Sequence, residues 1–188
     1  VKRYRTIVAD PPWPLRWSGG VGGAHRNATP MTYTLMDLPA INALPVREMA
    51  EDAAHLFLWV TPELHRAGEG VATARAWGFE PVDEIIWEKP NIGMGVFPRH
   101  VHEPLLIARR GDLPFGGPRN IRSVQKWPQR HAGNGGGKVH SAKPDAALDL
   151  AEQVSPGPYL EMFARRARFR WDYWGDESLG TATLEGAA

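Results

Sequence analysis

The sequence predicts an α/β fold built on a largely parallel sheet, and three observations carry that reading. A β-branched run at residues 6–9 is cut off by Asp10-Pro11-Pro12-Trp13. A continuous apolar run at 54–61 is followed by a helical stretch and a second strand, the order of a crossover unit that returns the chain parallel to itself. An amphipathic helix at 144–154 leads through Pro156-Gly157-Pro158 into another strand at 159–163. With 188 residues, 43% hydrophobic and 23% charged, the chain has enough apolar material to cover such a sheet in one domain spanning 1–177. Residues 178–188 are small and polar and read as a frayed tail.

The first strand ends abruptly because proline has no N–H to donate and fixes its own φ. Asp10 therefore sits at a strand's carboxyl end, the edge of an open α/β sheet where ligands bind. Pro11 and Pro12 hold a rigid turn with free carbonyls, and Trp13 adds a flat apolar plate. Together these suit a flat heterocycle with an exocyclic amine: the acid and a carbonyl accept the amine's two hydrogens while the ring stacks. Residues 16–34 are Gly-rich and carry Arg16 and Arg26 but no acid, a loop beside the turn that either gates a substrate or is a plain surface loop. Asp37 caps a short helix at 38–43, which Pro45 ends. The run at 54–61 reads as a strand covered on both faces. Pro62 opens a helix running to about Trp77, Gly78 closes it, and a strand follows at 79–89.

Residues 90–102 are irregular and precede a strand at 103–109. Within them Arg99 and His100 either approach a nucleic-acid strand or base, or are solvated loop groups. No metal is expected, because His100 and His102 with Glu103 have no further ligand cluster nearby. Although the net charge is only +1, residues 114–144 contain Arg119, Arg122, Lys126, Arg130, Lys138 and Lys143 and no acid, which suits contact with phosphate. This stretch reads as a flexible loop from Arg119 to His140, with Trp127 available to stack on a base or sugar. Gly133 to Lys138 is not a phosphate loop, since Ala132 and Val139 stand where a Gly and a Ser or Thr are needed. Lys143 lies at a helix start, where a cation does not help the helix, so it is placed for an anion. A last strand at 170–174 ends in Gly175-Asp176-Glu177, where an acid suits ribose hydroxyls. The absence of cysteine removes thiol catalysis, disulfides and Cys-ligated zinc. Without a long apolar run or a signal-peptide layout the chain reads as cytoplasmic, and its initial Val suggests processing or trimming.

Asp-Pro-Pro-Trp after a hydrophobic strand resembles catalytic motif IV of the MT-A70 family of adenine-N6 methyltransferases, which includes the eukaryotic messenger-RNA enzyme and bacterial and phage DNA enzymes. Further stretches resemble the family in the same order: Phe57-Leu58-Trp59-Val60, Asp83-Glu84-Ile85-Ile86-Trp87, His140-Ser141-Ala142-Lys143-Pro144-Asp145 and Glu161-Met162-Phe163-Ala164-Arg165. The resemblance spans about residues 4–177 and implies a Rossmann-like S-adenosylmethionine-dependent methyltransferase fold. Its motif order is the permuted β class, because Asp10 precedes the cofactor strand.

The resemblance implies Asp10, Pro11, Pro12 and Trp13 at the reacting amine. It implies Asp10, Lys143, Phe163, Ala164, Arg165, Asp176 and Glu177 at the cofactor, with Lys143 on its carboxylate and Ala164 allowing close approach. Asp176 stands where the family has Asn, which alters that contact. With the basic stretches, Trp13, Arg16, Arg26, Arg99, His100, Arg119, Arg122, Lys126 and Arg130 are the expected nucleic-acid contacts. The expected reaction is methylation of adenine N6 in nucleic acid, DNA favoured over RNA, in a bacterial cell or phage-infected host, with a homodimer or heterodimer possible. The alternatives are an RNA enzyme, an inactive scaffold subunit that presents nucleic acid, and a small-molecule methyltransferase.

Overall fold

The computed structural model describes residues 2–14, 34–92, 98–129, 142–164 and 167–174. Strand β1 (Tyr4–Ala9) is paired in parallel on one side with β2 (Ala50–Trp59) and on the other with β6 (Tyr159–Met162), to which β7 (Trp171–Trp174) adds in parallel. Strand β4 (His102–Arg110) is antiparallel to both β2 and β3 (Glu80–Glu88), and the short β5 (Val124–Gln125) lies parallel to β3. The sheet order is β5-β3-β4-β2-β1-β6-β7. Among the described residues the sheet is largely parallel, as the crossover pattern predicts, with the one reversed strand β4 inside it. The strand that ends at the acid, β1, comes first in the chain and precedes β6, the strand it pairs with, which is the permuted order expected.

Alternation along the central strands divides the core in two. Ile7, Ala9, Leu56 and Leu58 face α1 (Leu38–Asn42), α3 (Pro62–Arg66) and α4 (Glu69–Ala76), packing with Ile41, Leu64 and Trp77. Val8, Phe57 and Trp59 face α5 (Asp145–Val154), packing with Ala147, Leu148 and Ala151. Because both faces are covered, the strands read in sequence as unbroken apolar runs. Buried indoles tie the layers together: Trp77 Nε1 donates to the Ile41 carbonyl at 2.9 Å and Trp87 Nε1 to the Trp127 carbonyl at 2.9 Å.

Several local expectations change in the folded chain. The helix expected from Pro62 to Trp77 is two helices, α3 and α4, broken at Gly68, whose φ of 79° is left-handed. The break re-aims α4 so that Gly70 lies against β2, where an added Cβ would stand 2.7 Å from a Val60 methyl carbon. Asp37 caps α1 as expected, accepting from the Ala40 N–H at 2.8 Å. Pro45 both ends that helix and starts a further turn, α2 (Val46–Met49), which runs directly into β2 four residues earlier than the apolar run suggests. Within the stretch read as a loop from Arg119 onward, Val124 and Gln125 pair with Ile86 and Trp87 as a strand.

Among the described residues no helix lies between β6 and β7. Instead the connection is fastened to α5: Arg168 donates to Glu152 at 3.0 and 2.9 Å and to Asp149 at 2.6 Å, and Trp171 Nε1 donates to Glu152 at 2.5 Å. These bonds hold the Glu152 carboxyl below its usual range, chiefly through the Arg168 hydrogen bond. Among the described residues no helix is long and apolar enough to cross a membrane.

Candidate active site

Asp10 follows the last residue of β1 and is partly buried at the carboxyl edge of the sheet. The prolines hold the turn as expected, but their carbonyls are engaged: Pro11 accepts from the Trp13 N–H at 2.8 Å and Pro12 from the Met36 N–H at 2.9 Å. Each keeps a second lone pair. Trp13 departs from the open plate expected of it. Its side chain is 4% exposed, packed in the core on the α1 side, and its Nε1 donates to the Trp59 carbonyl at 2.8 Å. A large apolar ring next to a buried strand end gains more from the core than from water, so Trp13 anchors the turn from beneath.

The charged groups around Asp10 come from three distant parts of the chain. Lys143, just before α5, places its Nζ 2.9 Å from the Asp10 carboxylate and 5.6 Å from the centroid of the Trp59 ring. The same Nζ lies 3.5 Å from Glu103 at the start of β4, and Glu103 meets Lys89, just past β3, at 2.8 Å. Signs alternate along this row, Asp10, Lys143, Glu103, Lys89. Burial alone would raise the Glu103 carboxyl, but the ammonium groups of Lys143 and Lys89 outweigh it and hold the group below the usual carboxylate value. Lys143 thus sits by an anion as its position predicts, and in the structure those anions are Asp10 and Glu103.

In the sequence Glu103 stands beside His100 and His102, which hides its place among the charged groups of the site. Those histidines go elsewhere: His100 meets Glu63 at 3.5 Å and stands edge-on to His102 at 5.4 Å, while Glu103 turns to the lysines. The available signal was an acid opening a strand next to the one that carries Lys89.

A pocket opens beside Asp10 between the ends of β1 and β6. Val8, Trp59, Ala147, Leu148 and Met162 give it apolar walls, and Asp10, Lys143 and Glu161 supply its charges. Phe163 closes the end of β6 in a left-handed conformation, φ 61°, and packs edge-on to Trp174 at 5.1 Å. That turn does at a non-glycine residue what a glycine-rich turn does elsewhere: it takes the chain sharply away from the pocket. Ala164, the small residue expected to allow close approach, is 1% exposed and donates its N–H to the Trp174 carbonyl at 3.1 Å.

The expected nucleic-acid residues do not form one surface. Lys126 lies at the carboxyl edge of the sheet, paired with Glu88 at 3.3 Å, and Arg99 is exposed. Arg119 and Arg122 line a separate groove on the α5 face with Ile107, Leu150 and Val154, away from the pocket that holds Asp10. The chain crosses this face between β4 and β5, and Lys126 follows β5 at the carboxyl edge. Arg16, Arg26, Arg130, Arg165, Asp176, Glu177 and the tail lie outside the described residues.

An acid and a lysine at the mouth of a pocket between two parallel strand ends narrow the chemistry, and comparison with known proteins decides the family. Residues 4–177 match MT-A70. The chain belongs to the MT-A70 family. It is 28% identical over 192 residues to the Type II methyltransferase M.MunI of Mycoplasma sp, covering 94% of this chain and 78% of that protein. It is 30% identical over 196 residues to the N6-methyladenosine RNA methyltransferase MTA1 of Pyricularia oryzae, covering 94% of this chain and 47% of that one. With the human N(6)-adenosine-methyltransferase catalytic subunit METTL3 the identity is 29% over 174 residues, 87% of this chain and 26% of the relative. The chain thus spans less than half the length of the last two. MT-A70 proteins are adenine-N6 methyltransferases that use S-adenosylmethionine, so this is the cofactor of the present chain.

The pocket fits that cofactor. S-adenosylmethionine carries a carboxylate, an α-ammonium and a sulfonium, and the pocket offers one lysine and two carboxylates amid apolar walls. Lys143 suits the carboxylate, and the acids suit the two positive centres.

Proposed function

We propose that this chain methylates the N6 amine of adenine in DNA, with Asp10 as the group that engages the amine. The observation that carries the reading is Asp10 at the carboxyl end of β1, held by Lys143 at 2.9 Å beside a pocket suited to the cofactor. The bound cofactor supplies a methyl group activated on sulfur. The exocyclic amine of adenine is a weak nucleophile because its lone pair is drawn into the ring. Asp10 and the spare lone pair of the Pro11 carbonyl accept the amine's two hydrogens and turn that lone pair toward the methyl carbon. Once methylated, the amine would be cationic and acidic, and it would release a proton to Asp10 or water. Asp10 therefore need not be a strong base.

The choice of DNA is supported by the extent of the likeness: most of the length of a type II methyltransferase is matched, against less than half of MTA1. Bases in a duplex have to leave the stack to reach an acid at a sheet edge, or be offered on a single strand. The experiment is transfer of labelled methyl to matched DNA and RNA oligonucleotides, single and double stranded, followed by digestion to nucleosides. Label in N6-methyldeoxyadenosine is the expected result. Label only in N6-methyladenosine would move the substrate to RNA, and binding of cofactor without transfer to any strand would favour the scaffold role.

A further inference from the structure

Three arginines on the α5 face of the sheet take no part in holding the fold. Arg109 near the end of β4, with Arg119 and Arg122 in the stretch that follows it, lines one groove, and among the described residues their guanidinium groups form no ion pair and no side-chain hydrogen bond. The acids nearby are engaged: Asp149 pairs with Arg168 at 2.6 Å, Glu84 turns to His65 at 3.1 Å, and Asp83 accepts from the Glu84 N–H at 2.8 Å. The groove does not end at the arginines. A second cavity shares Ile121, Arg122 and Leu150 with it and reaches Trp127 and Ala146, at the carboxyl edge where α5 begins. On β3 the partners of Arg109 and Gln125 are Glu80 and Trp87, so the joined trough is about 20 Å long. Its floor of Ile107, Leu150 and Val154 is apolar, and an aromatic stands at each end: Phe115, 41% exposed, at the amino side and half-buried Trp127 at the carboxyl side.

We propose that this trough carries a single strand of nucleic acid away from the adenine at Asp10, on one side of the target only. Unpaired cations along a groove attract phosphates, and an apolar floor between two aromatic rings accepts the faces of bases. A duplex offers its phosphates but keeps its bases stacked within, so it gains nothing from that floor. The charge along the path has one sign: residues 114–144 hold no acid, and Lys126 stands at the mouth, paired with Glu88 at 3.3 Å. Helix α5 walls the trough through Ala146, Leu150 and Gln153, whereas the pocket at Asp10 uses Ala147 and Leu148 of the same helix. Strand and cofactor therefore approach Asp10 by separate paths.

The trough rests on the nucleic-acid reading of the chain, and its test measures binding rather than turnover. Fluorescent oligodeoxythymidine strands with one adenine are titrated by anisotropy in the presence of S-adenosylhomocysteine, the tail being lengthened on the 5′ and the 3′ side in turn. The wild type should gain about tenfold or more in affinity from a tail on one side and little from a tail on the other. Arg119→Gln combined with Arg122→Gln should erase that gain and lower the slope of log affinity against log salt by about 1.4, at about 0.7 per phosphate contact on a single strand. Lys at both positions should keep the slope. A tail of abasic residues should forfeit most of the gain, since the floor then has no bases to hold. Equal gains on both sides, a Gln variant that keeps the wild-type gain, or an equal loss on a duplex of the same length each overturns the trough. Methyl transfer with none of these dependences would refute the trough and leave the function standing, whereas neither binding nor transfer with any strand would refute the function itself.

Discussion

The two edges of this sheet are built from the same strands and treat polarity in opposite ways. At the amino edge of β1 and β2, Thr6, His55 and Ser155 are almost wholly buried and bonded to one another: the Thr6 and Ser155 hydroxyls are 2.5 Å apart, and His55 Nδ1 is 2.7 Å from Ser155. The cluster ends on two backbone carbonyls, Leu113, 2.9 Å from His55 Nε2, and Pro156, which accepts from Thr6 at 2.7 Å. Phe115 stacks on the imidazole at 3.8 Å. At the carboxyl edge of the same strands, Asp10, Lys143, Glu103 and Lys89 are charged and 15–28% exposed. One edge consumes its polar groups in the fold; the other presents them. The difference teaches where to look for chemistry. A buried neutral network that terminates on carbonyls stabilises, whereas a row of ions at a pocket mouth keeps sites for a ligand.

The largest effect should follow from Asp10→Asn, which keeps the shape of the turn and removes its charge. Methyl transfer is expected to fall by about 10²–10⁴-fold, with S-adenosylhomocysteine binding still measurable by calorimetry. A variant with wild-type turnover would remove the distinction between the edges. On the opposite edge, His55→Ala should lower stability by about 2–4 kcal/mol in urea denaturation, since it leaves Ser155 and the Leu113 carbonyl short of a partner and opens a cavity against Phe115. Turnover per folded molecule should not change; a parallel loss of turnover would mean that the amino edge contributes to the site.

The pH response separates the edges further. Burial, and then the charge of Arg109, push the His55 imidazole below its ordinary value, against the opposing pull of the Leu113 carbonyl. The unfolded chain therefore takes up a proton first as the pH drops below about 6.5, and stability falls from there toward the lower folded value. The Asn variant of His55 should lose that slope in thermal melts between pH 7 and 5. Glu103, held low by its two lysines, acts in a more acidic window. Its contribution is present above the ordinary carboxylate range and lost as the pH falls below it, so Glu103→Gln should flatten the acid limb of the stability curve and leave the limb due to His55 intact. The smallest change is expected for Arg75→Ala, whose partner Glu80 is met at 2.8 Å on the surface of the far helix layer. Its melting temperature should match the wild type within error, because both groups remain solvated without each other.

Much of this was legible in the residues. Strand and helix periods are local, so β1, β2, β3, β6 and α5 came within a few positions of their places, and the acid closing β1 announced the functional edge. The proline turn also spoke for itself, because the missing N–H and fixed φ act wherever such a pair occurs. Breaks set by contact were not legible: Gly68 divides a helix whose pattern runs through it, since the cause is the approach of Gly70 to Val60 across the layer.

By itself, then, the sequence determined the fold class, the motif order and the identity of the acid at the strand end. Only the tertiary structure decided what surrounds that acid. Lys143 reaches Asp10 across 133 positions of chain. Glu103 falls between two lysines because β4 runs antiparallel between β2 and β3, and Glu161 faces the pocket because of its register with Val8. Trp13 turned inward for a related reason, the Trp59 carbonyl and the core lying beneath it. Backbone preferences are set by neighbours in sequence, but the partners of a charge or an indole are set by strand order and register, which no short stretch of residues encodes.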